Sequence, residues 1–186
     1  MEHRTKIIVL NGIGSVGKTS IAKALQTITY QTFLHVAMDA FLEMLPEKLL
    51  SHPDGLLFET THDDDKPTIA IKTGPTLERV MRGMRYSVAA MAQQGNNLIV
   101  DEVMLEAQNV QAYRDLLSFC DVFFVGLFAP LDVLEARERA RGDREIGLAR
   151  GQYGLVHRDI IYDLEVNTAT ATPVENARII CKTFKL

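Results

Sequence analysis

Cysteine and histidine are too sparse and too scattered in this sequence to predict a redox or metal centre. The two cysteines, Cys120 and Cys181, stand far apart, and the five histidines do not pair at a metal-ligand spacing. The aspartate run at 63–65 is more typical of a solvated turn than of a metal site. We therefore expect buried free thiols and structural histidines, including His35 and His157.

Long apolar runs and an excess of positive charge are also missing. No run reaches the roughly 18 apolar residues that a membrane helix requires. The net charge is −4 and the pI is near 5.7, so the chain offers no electrostatic attraction for nucleic acid or an anionic membrane. The first residues, MEHRTK, lead directly into an apolar segment without a recognisable signal peptide. We expect a cytoplasmic protein without nucleic-acid or membrane partners, and the sequence predicts no oligomeric state.

Short apolar runs do alternate with helical patterns along the chain. This alternation is typical of an α/β fold in which helices cover both faces of a parallel sheet. The 186 residues, 47% hydrophobic and 24% charged, suit one globular domain over 1–186. Strands are predicted at 7–10, 33–38, 97–100, 122–127 and 164–167, and helices at 18–28, 40–45, 75–94, 109–117, 130–141 and 173–184.

Residues 46–74 interrupt this alternation. Two short apolar runs, 56–59 and 68–72, are joined by a polar segment and are predicted to form a hairpin. We interpret the region as an insertion that covers one end of the sheet, over a bound substrate.

The segment between the first predicted strand and helix carries the strongest motif. Residues 12–19, GIGSVGKT, match G-x-x-x-x-G-K-[ST] in full, in the expected strand–loop–helix context. Glycines let successive backbone N–H groups approach a phosphate closely, and the helix directs its positive dipole end at the same anion. The predicted nucleotide-binding residues are Gly12, Ile13, Gly14, Ser15, Val16, Gly17, Lys18, Thr19 and Ser20.

Two residues of this loop have specific roles in such sites. Lys18 can reach the β- and γ-phosphates, and the Thr19 hydroxyl can ligate Mg²⁺. A nucleotide and Mg²⁺ are therefore the expected ligands.

Two aspartates stand at the ends of other predicted strands. The carboxyl ends of parallel strands meet at one edge of the sheet, so Asp39 and Asp101 are expected near the phosphate loop. Asp101 is interpreted as support for Mg²⁺, either directly or through water. Asp39 is interpreted as the N-cap of the helix beginning at Ala40, as a general base for an acceptor hydroxyl, or as both.

An arginine-rich segment follows the helix at 130–141. Gly142 is expected to break that helix between Arg141 and Arg144, leaving a mobile loop whose guanidinium groups close over the phosphates, with the lid at 137–150. Guanidinium groups suit this task because their planar fork spreads charge over phosphoryl oxygens. We favour Arg141 and Arg144 over Arg137 and Arg139 as catalytic residues.

Three apolar residues are candidates for the acceptor pocket. Met38, Phe41 and Phe58 fall on segments expected to flank Asp39. Plain core positions explain them equally well.

Several segments together resemble a known family. LNGIGSVGKTSIAKALQ, HVAMDAFLEMLP, TGP, NLIVDEV, ARERARGDR and YDLEVNT occur in the order seen in chloramphenicol phosphotransferase-like proteins, from Lys6 to about Phe184. The resemblance implies a P-loop, nucleoside-monophosphate-kinase-like three-layer sandwich with five parallel strands. It implies ATP-dependent phosphorylation of a hydroxyl on chloramphenicol, and hence antibiotic resistance. By position it assigns Asp39 as the catalytic carboxylate, Lys18 as the loop lysine, and Arg141 and Arg144 to the lid.

The leading hypothesis is therefore an ATP-dependent kinase that acts on an alcohol group of a small molecule, chloramphenicol or a similar antibiotic. The alternatives are a kinase of another hydroxylated metabolite and a zeta-toxin-like sugar-nucleotide kinase. A GTPase switch or a regulatory nucleotide-binding module is less favoured, because the chain has no N-K-x-D guanine-reading motif.

Overall fold

Five parallel strands form the central sheet of the computed structural model, which describes residues 4–63, 66–142 and 145–186. The strands are β1 (Lys6–Gly12), β2 (Phe33–Ala37), β5 (Asn97–Glu102), β6 (Asp121–Phe128) and β7 (Leu164–Asn167). Their order in the sheet is β2-β5-β1-β6-β7. A separate antiparallel hairpin consists of β3 (Leu56–Asp63) and β4 (Lys66–Thr73). The predicted α/β class and five-stranded parallel sheet are confirmed.

Helices connect the strands and cover the sheet. They are α1 (Lys18–Ile28), α2 (Met38–Leu42), α3 (Pro75–Gln93), α4 (Ala107–Leu116), α5 (Leu131–Arg141), α6 (Leu148–Gln152) and α7 (Pro173–Phe184). A single 3₁₀ turn spans Glu47–Leu49. Within the described residues, no helix has the length and apolarity needed to span a membrane.

The core lies on both faces of the sheet because side chains alternate along its central strand. Ile8 and Leu10 of β1 join one cluster, with residues of α1 and α7. Ile7 and Val9 join the other, with residues of α3 and α4. All four side chains are fully buried, as expected for the middle strand of a three-layer sandwich.

Two helix ends match their sequence signals. Thr172 caps α7 in a reciprocal capping box with Glu175, and Pro173 occupies the first helical position. Gly142 ends α5 with φ 69°, in the left-handed region, as predicted. Both cysteines are free; Cys120 is buried and Cys181 is half-buried.

The structure corrects three local predictions. Helix α2 begins at Met38 with Ala37 as its N-cap, so Asp39 lies in the first turn and does not cap the helix. Strand β5 continues through Asp101 and Glu102, because these residues pair with Leu10 and Asn11 of β1. Neither α6 nor the 3₁₀ turn is predicted, since both are too short to show a helical period.

Candidate active site

The carboxyl ends of β1, β2 and β5 bring the predicted site residues to one edge of the sheet. Asp101 pairs in register with Leu10 of β1 on one side and with Ala37 of β2 on the other. The phosphate loop begins two residues beyond Leu10, and Asp39 lies two residues beyond Ala37. This is the edge where parallel α/β sheets bind ligands.

The phosphate loop connects β1 to α1, and glycine is needed at its two ends. An added Cβ at Gly12 would lie 2.8 Å from the carbonyl oxygen of Leu127, so only a hydrogen atom fits between β1 and β6 there. Gly17 is the N-cap of α1 with φ 102°, a conformation that L side chains rarely adopt. The backbone of the loop is therefore determined by packing at one end and by conformation at the other.

Lys18 and Thr19 open α1 beneath this loop. The Lys18 ammonium donates to the carbonyl oxygens of Gly12 and Ile13, at 2.9 and 3.2 Å. The Thr19 hydroxyl donates to Oδ2 of Asp101 at 2.7 Å, which joins the loop to β5. Gly14 through Ser20 line the adjacent cleft, whereas Gly12 and Ile13 are not among its described lining residues.

Asp101 is well suited to remain ionised. Burial raises the pKa of its carboxyl group, but His35, Lys18 and Thr19 together outweigh that effect, so the pKa lies below its usual range. The His35 Nε2 atom is 3.5 Å from Oδ2, at the outer limit of hydrogen bonding.

The adjacent oxygens of Thr19 and Asp101 fit a magnesium ion. Mg²⁺ is usually held by one or two protein oxygens together with phosphate and water oxygens. Within the described residues there is no group of three or more His, Cys, Asp or Glu side chains able to hold a metal without such help.

A single cleft of about 1180 Å³ contains the phosphate loop and Asp39 together. Part of its apolar lining comes from the hairpin and α3. That part consists of Leu56, Phe58, Ile71, Leu77 and Met81. The cleft thus combines the phosphate loop, Asp39 and an apolar lining.

The three acceptor candidates separate in the structure. Met38 and Phe58 line the cleft. Phe41 is not among its described lining residues, and both Met38 and Phe41 pack against the core cluster on the α3 face.

The arginines of α5 also differ in position. Arg137 donates to the Val16 carbonyl at 3.3 Å and to Thr168, so it connects the phosphate loop to the residue that follows β7. Arg137 and Arg141 both line the cleft, whereas Arg139 is not among its described lining residues. Arg144, the other favoured arginine, lies outside the described residues.

One buried network near the cleft was missed from the sequence. Glu102 follows Asp101 and is 3% exposed. One of its oxygens accepts from Arg85 of α3 at 3.0 Å, and the other accepts from the Tyr113 hydroxyl of α4. Burial raises the pKa of the Glu102 carboxyl group, and the Tyr113 hydroxyl and Arg85 oppose that rise. The sequence signal that could have indicated this network is the acidic pair Asp101 and Glu102 at the end of β5.

A second set of missed contacts joins α6 to the phosphate loop and to α5. Gln152 accepts a hydrogen bond from the backbone N–H of Gly14 at 2.8 Å. Glu138 of α5, which is 2% exposed, accepts from the backbone N–H groups of Gly147 and Ala149, both at 2.8 Å. No sequence signal indicated either contact, because α6 has too few residues for a periodic pattern.

A third buried network supports the loop from β1. Asn11 donates to Tyr162 and to the carbonyl of Val156, and it accepts from the backbone N–H of Met104. Tyr162 also contacts His157 Nδ1 at 2.8 Å. Since the Asn11 amide donates to the Tyr162 oxygen, the Tyr162 proton is available to His157.

Comparisons with known proteins agree with this fold. The M. tuberculosis APS kinase CysC, solved with AMPPNP and APS, superposes with a TM-score of 0.70 at 16% identity, covering 98% of this chain and 99% of that one. A tunicamycin resistance protein from Deinococcus radiodurans gives 0.67 at 19% identity, with 98% and 97% covered. A gluconokinase from Sinorhizobium meliloti 1021 gives 0.65 at 17%, with 98% and 92% covered. At these identities the superpositions establish the fold.

The fold and the phosphate loop together define a P-loop phosphotransferase. The model of the chloramphenicol phosphotransferase-like protein family matches residues 5–185, and the chain belongs to that family. Proteins from two Mycobacterium tuberculosis strains, CDC 1551 / Oshkosh and ATCC 25618 / H37Rv, are 31% identical over 186 residues. That alignment covers 97% of this chain and 82% of each relative, and both relatives carry the provisional name O-phosphotransferase. The predicted family is confirmed.

Proposed function

We propose that the protein transfers the γ-phosphate of ATP to a hydroxyl group of a small molecule, chloramphenicol or a similar antibiotic. The observation that carries this proposal is that Asp39 lines the same cleft as Lys18 and the rest of the phosphate loop. A carboxylate beside the terminal phosphate position is what a hydroxyl acceptor requires.

The donor end of the cleft suits a nucleoside triphosphate. The backbone N–H groups of the loop and the start of α1 would hold the phosphates, and Lys18 would exchange its carbonyl partners for phosphate oxygens. Thr19 and Asp101 would hold Mg²⁺, which neutralises charge on the phosphates when bound. Arg137 would keep the loop in place through the Val16 carbonyl.

The acceptor end suits a molecule with an apolar body and a hydroxyl group. Asp39 would orient the hydroxyl and accept its proton as the bond to phosphorus forms. Met38 and Phe58 would contact the apolar body, with the 46–74 insertion covering it. Arg141 would complete the phosphate environment from the 137–150 lid, with Arg144 following it in sequence.

The choice of acceptor rests on the family. The family description names chloramphenicol, and the two mycobacterial relatives are named as enzymes that phosphorylate an oxygen. Cytoplasmic location, where ATP is available, remains part of the proposal.

The role of Asp39 is tested by Asp39→Asn, which keeps the shape of the side chain but removes the base. ATP affinity should stay within about twofold, while phosphoryl transfer should fall on the order of 10²- to 10⁴-fold. Asp132→Asn, at an exposed position on α5, is the matched control. Turnover by Asp39→Asn at the wild-type rate would remove Asp39 from the base role.

The acceptor is tested by incubating the protein with ATP, Mg²⁺ and either chloramphenicol or a panel of alcohol metabolites. Mass spectrometry should find chloramphenicol with one added phosphoryl group. A phosphorylated metabolite with unmodified chloramphenicol would retain the kinase and replace the acceptor. Strong selectivity for GTP over ATP, without transfer to any alcohol, would favour a regulatory nucleotide-binding module instead.

A further inference from the structure

Gln152 is the residue that brings α6 into contact with the phosphate loop. Its side chain lines the cleft, and the residue is only 7% exposed. The backbone N–H of Gly14 donates to its Oε1 atom at 2.8 Å. Gln152 is therefore placed against the loop that would hold phosphates, from the side of the lid.

This hydrogen bond determines which way the amide points. A backbone N–H can only donate, so the atom facing Gly14 must be the amide oxygen. The amide nitrogen, Nε2, then occupies the other position of the side-chain fork. No residue in the described part of the chain accepts a hydrogen bond from Nε2. Two N–H donors thus remain for a ligand in the cleft.

The position of α6 makes this orientation reproducible. The Glu138 carboxylate accepts from the N–H groups of Gly147 and Ala149, which anchors the first turn of the helix. Arg150 pairs with Glu135 of α5. Because α6 is held on α5 by these contacts, Gln152 can be presented to the loop without ordering a flexible segment.

We propose that Gln152 is a nucleotide-binding residue whose Nε2 donates to a terminal phosphate oxygen while its Oε1 stays on the Gly14 N–H. The proposal rests on the proposed function only in requiring a nucleotide in the phosphate loop. A neutral donor adds a hydrogen bond to the phosphates without placing a further positive charge beside Lys18. Gln152 thereby connects a nucleotide bound in the phosphate loop with helix α6.

The test compares two substitutions that preserve the size of the side chain. Gln152→Glu keeps an oxygen for Gly14 but replaces the donor with a negatively charged acceptor facing the phosphates. Gln152→Met removes both hydrogen bonds without adding charge. Gln93→Glu makes the same chemical change as the first variant at the exposed end of α3, away from the site edge, and is the matched control.

Binding is measured by calorimetry with ATP, inorganic tripolyphosphate and AMP, in the presence of Mg²⁺. Loss of a charge-assisted hydrogen bond predicts about a tenfold weakening of ATP and tripolyphosphate by Gln152→Met. Gln152→Glu should weaken both by about a hundredfold, because repulsion adds to the lost donor. AMP, which has no terminal phosphates, should bind all variants within about twofold of the wild type.

Two results would overturn the proposal. In one, Gln152→Glu binds ATP within twofold of the wild type. In the other, both Gln152 variants weaken AMP as much as ATP, as expected for a structural role alone. Should thermal unfolding show that Gln152→Glu does not fold, the affinities for ATP and AMP are compared in Gln152→Met alone. A wild-type protein that binds no nucleotide would refute the proposed function as well.

Discussion

At the scale of single residues, motif positions and buried polar partners differ sharply in how well they can be predicted. Lys18 and Thr19 are specified by a motif whose spacing is local, and the structure places both residues beside the cleft. Arg85 carries no such signal, because it meets Glu102 only after α3 packs against β5. Its role follows from the burial of the carboxylate that it pairs with.

Arg85→Ala should destabilise the protein by about 3 kcal/mol, because it leaves the buried Glu102 carboxylate without its cation. The double variant Arg85→Ala/Glu102→Gln should lose clearly less, since the remaining amide carries no charge. Chemical denaturation at pH 7 measures both free energies of unfolding. Equal losses in the single and double variants would contradict a role for charge burial.

The same pair predicts the direction of a pH effect. Burial already raises the pKa of the Glu102 carboxyl group, and removing Arg85 should raise it further. The folded Arg85→Ala variant then binds more protons than the unfolded chain, so its stability falls as pH rises through that range. The loss of stability caused by Arg85→Ala should therefore shrink as the pH is lowered towards 4.5, the ordinary pKa of a glutamate side chain.

At the scale of elements, α6 connects the phosphate loop to the hairpin. The backbone N–H of Ile69 on β4 donates to the Gly147 carbonyl at 3.0 Å. A Cβ added at Gly151 would lie 1.8 Å from the Ile69 carbonyl oxygen, so the helix and the strand approach as closely as glycine allows. Through Gln152 and β4, α6 contacts both ends of the proposed site.

Gly151→Ala should therefore displace α6 from β4, although alanine favours a helix intrinsically by about 1 kcal/mol over glycine. We expect a loss of about 1–3 kcal/mol in stability from overpacking, together with weaker ATP binding. Gly154→Ala is the control, because an added Cβ there meets nothing within 4 Å. Thermal unfolding and calorimetry compare the two, and a stabilised Gly151→Ala variant would disprove the close contact.

At the scale of the whole molecule, the Asn11 network joins distant parts of the chain behind the site. It connects the end of β1 with the segment after β5 and with residues 156–162. His157 belongs to this network, stacks on Phe128, and has its pKa lowered by burial to about 4. The folded protein therefore favours the neutral form of the His157 side chain.

This predicts acid sensitivity between pH 6.5 and about 4. In that window the unfolded chain protonates His157 while the folded protein does not, so stability falls as pH falls. His157→Gln should flatten this part of the curve, although it also loses the ring stacking. Urea unfolding at several pH values measures the slope, with His62→Gln as the exposed control. An unchanged slope in His157→Gln would place the acid sensitivity elsewhere.

The sequence alone determined the class of fold, the strand-end aspartates and the phosphate loop. Apolar runs indicate buried strands and helix faces, and the G-x-x-x-x-G-K-[ST] spacing indicates a phosphate loop. Both patterns are local in sequence. The prediction that Asp39 caps α2 was wrong, because the helix begins at Met38 with Ala37 as its N-cap, two residues earlier than expected.

Only the tertiary structure decided which polar residues support the site. Gln152 and Gly14 are 138 positions apart, and Asn11 and Tyr162 are 151 apart. Such pairs leave no periodic or spacing signal, because their partners are chosen by how the helices pack around the sheet. The same packing decides that Met38 and Phe58 line the cleft, whereas Phe41 is not among its described lining residues.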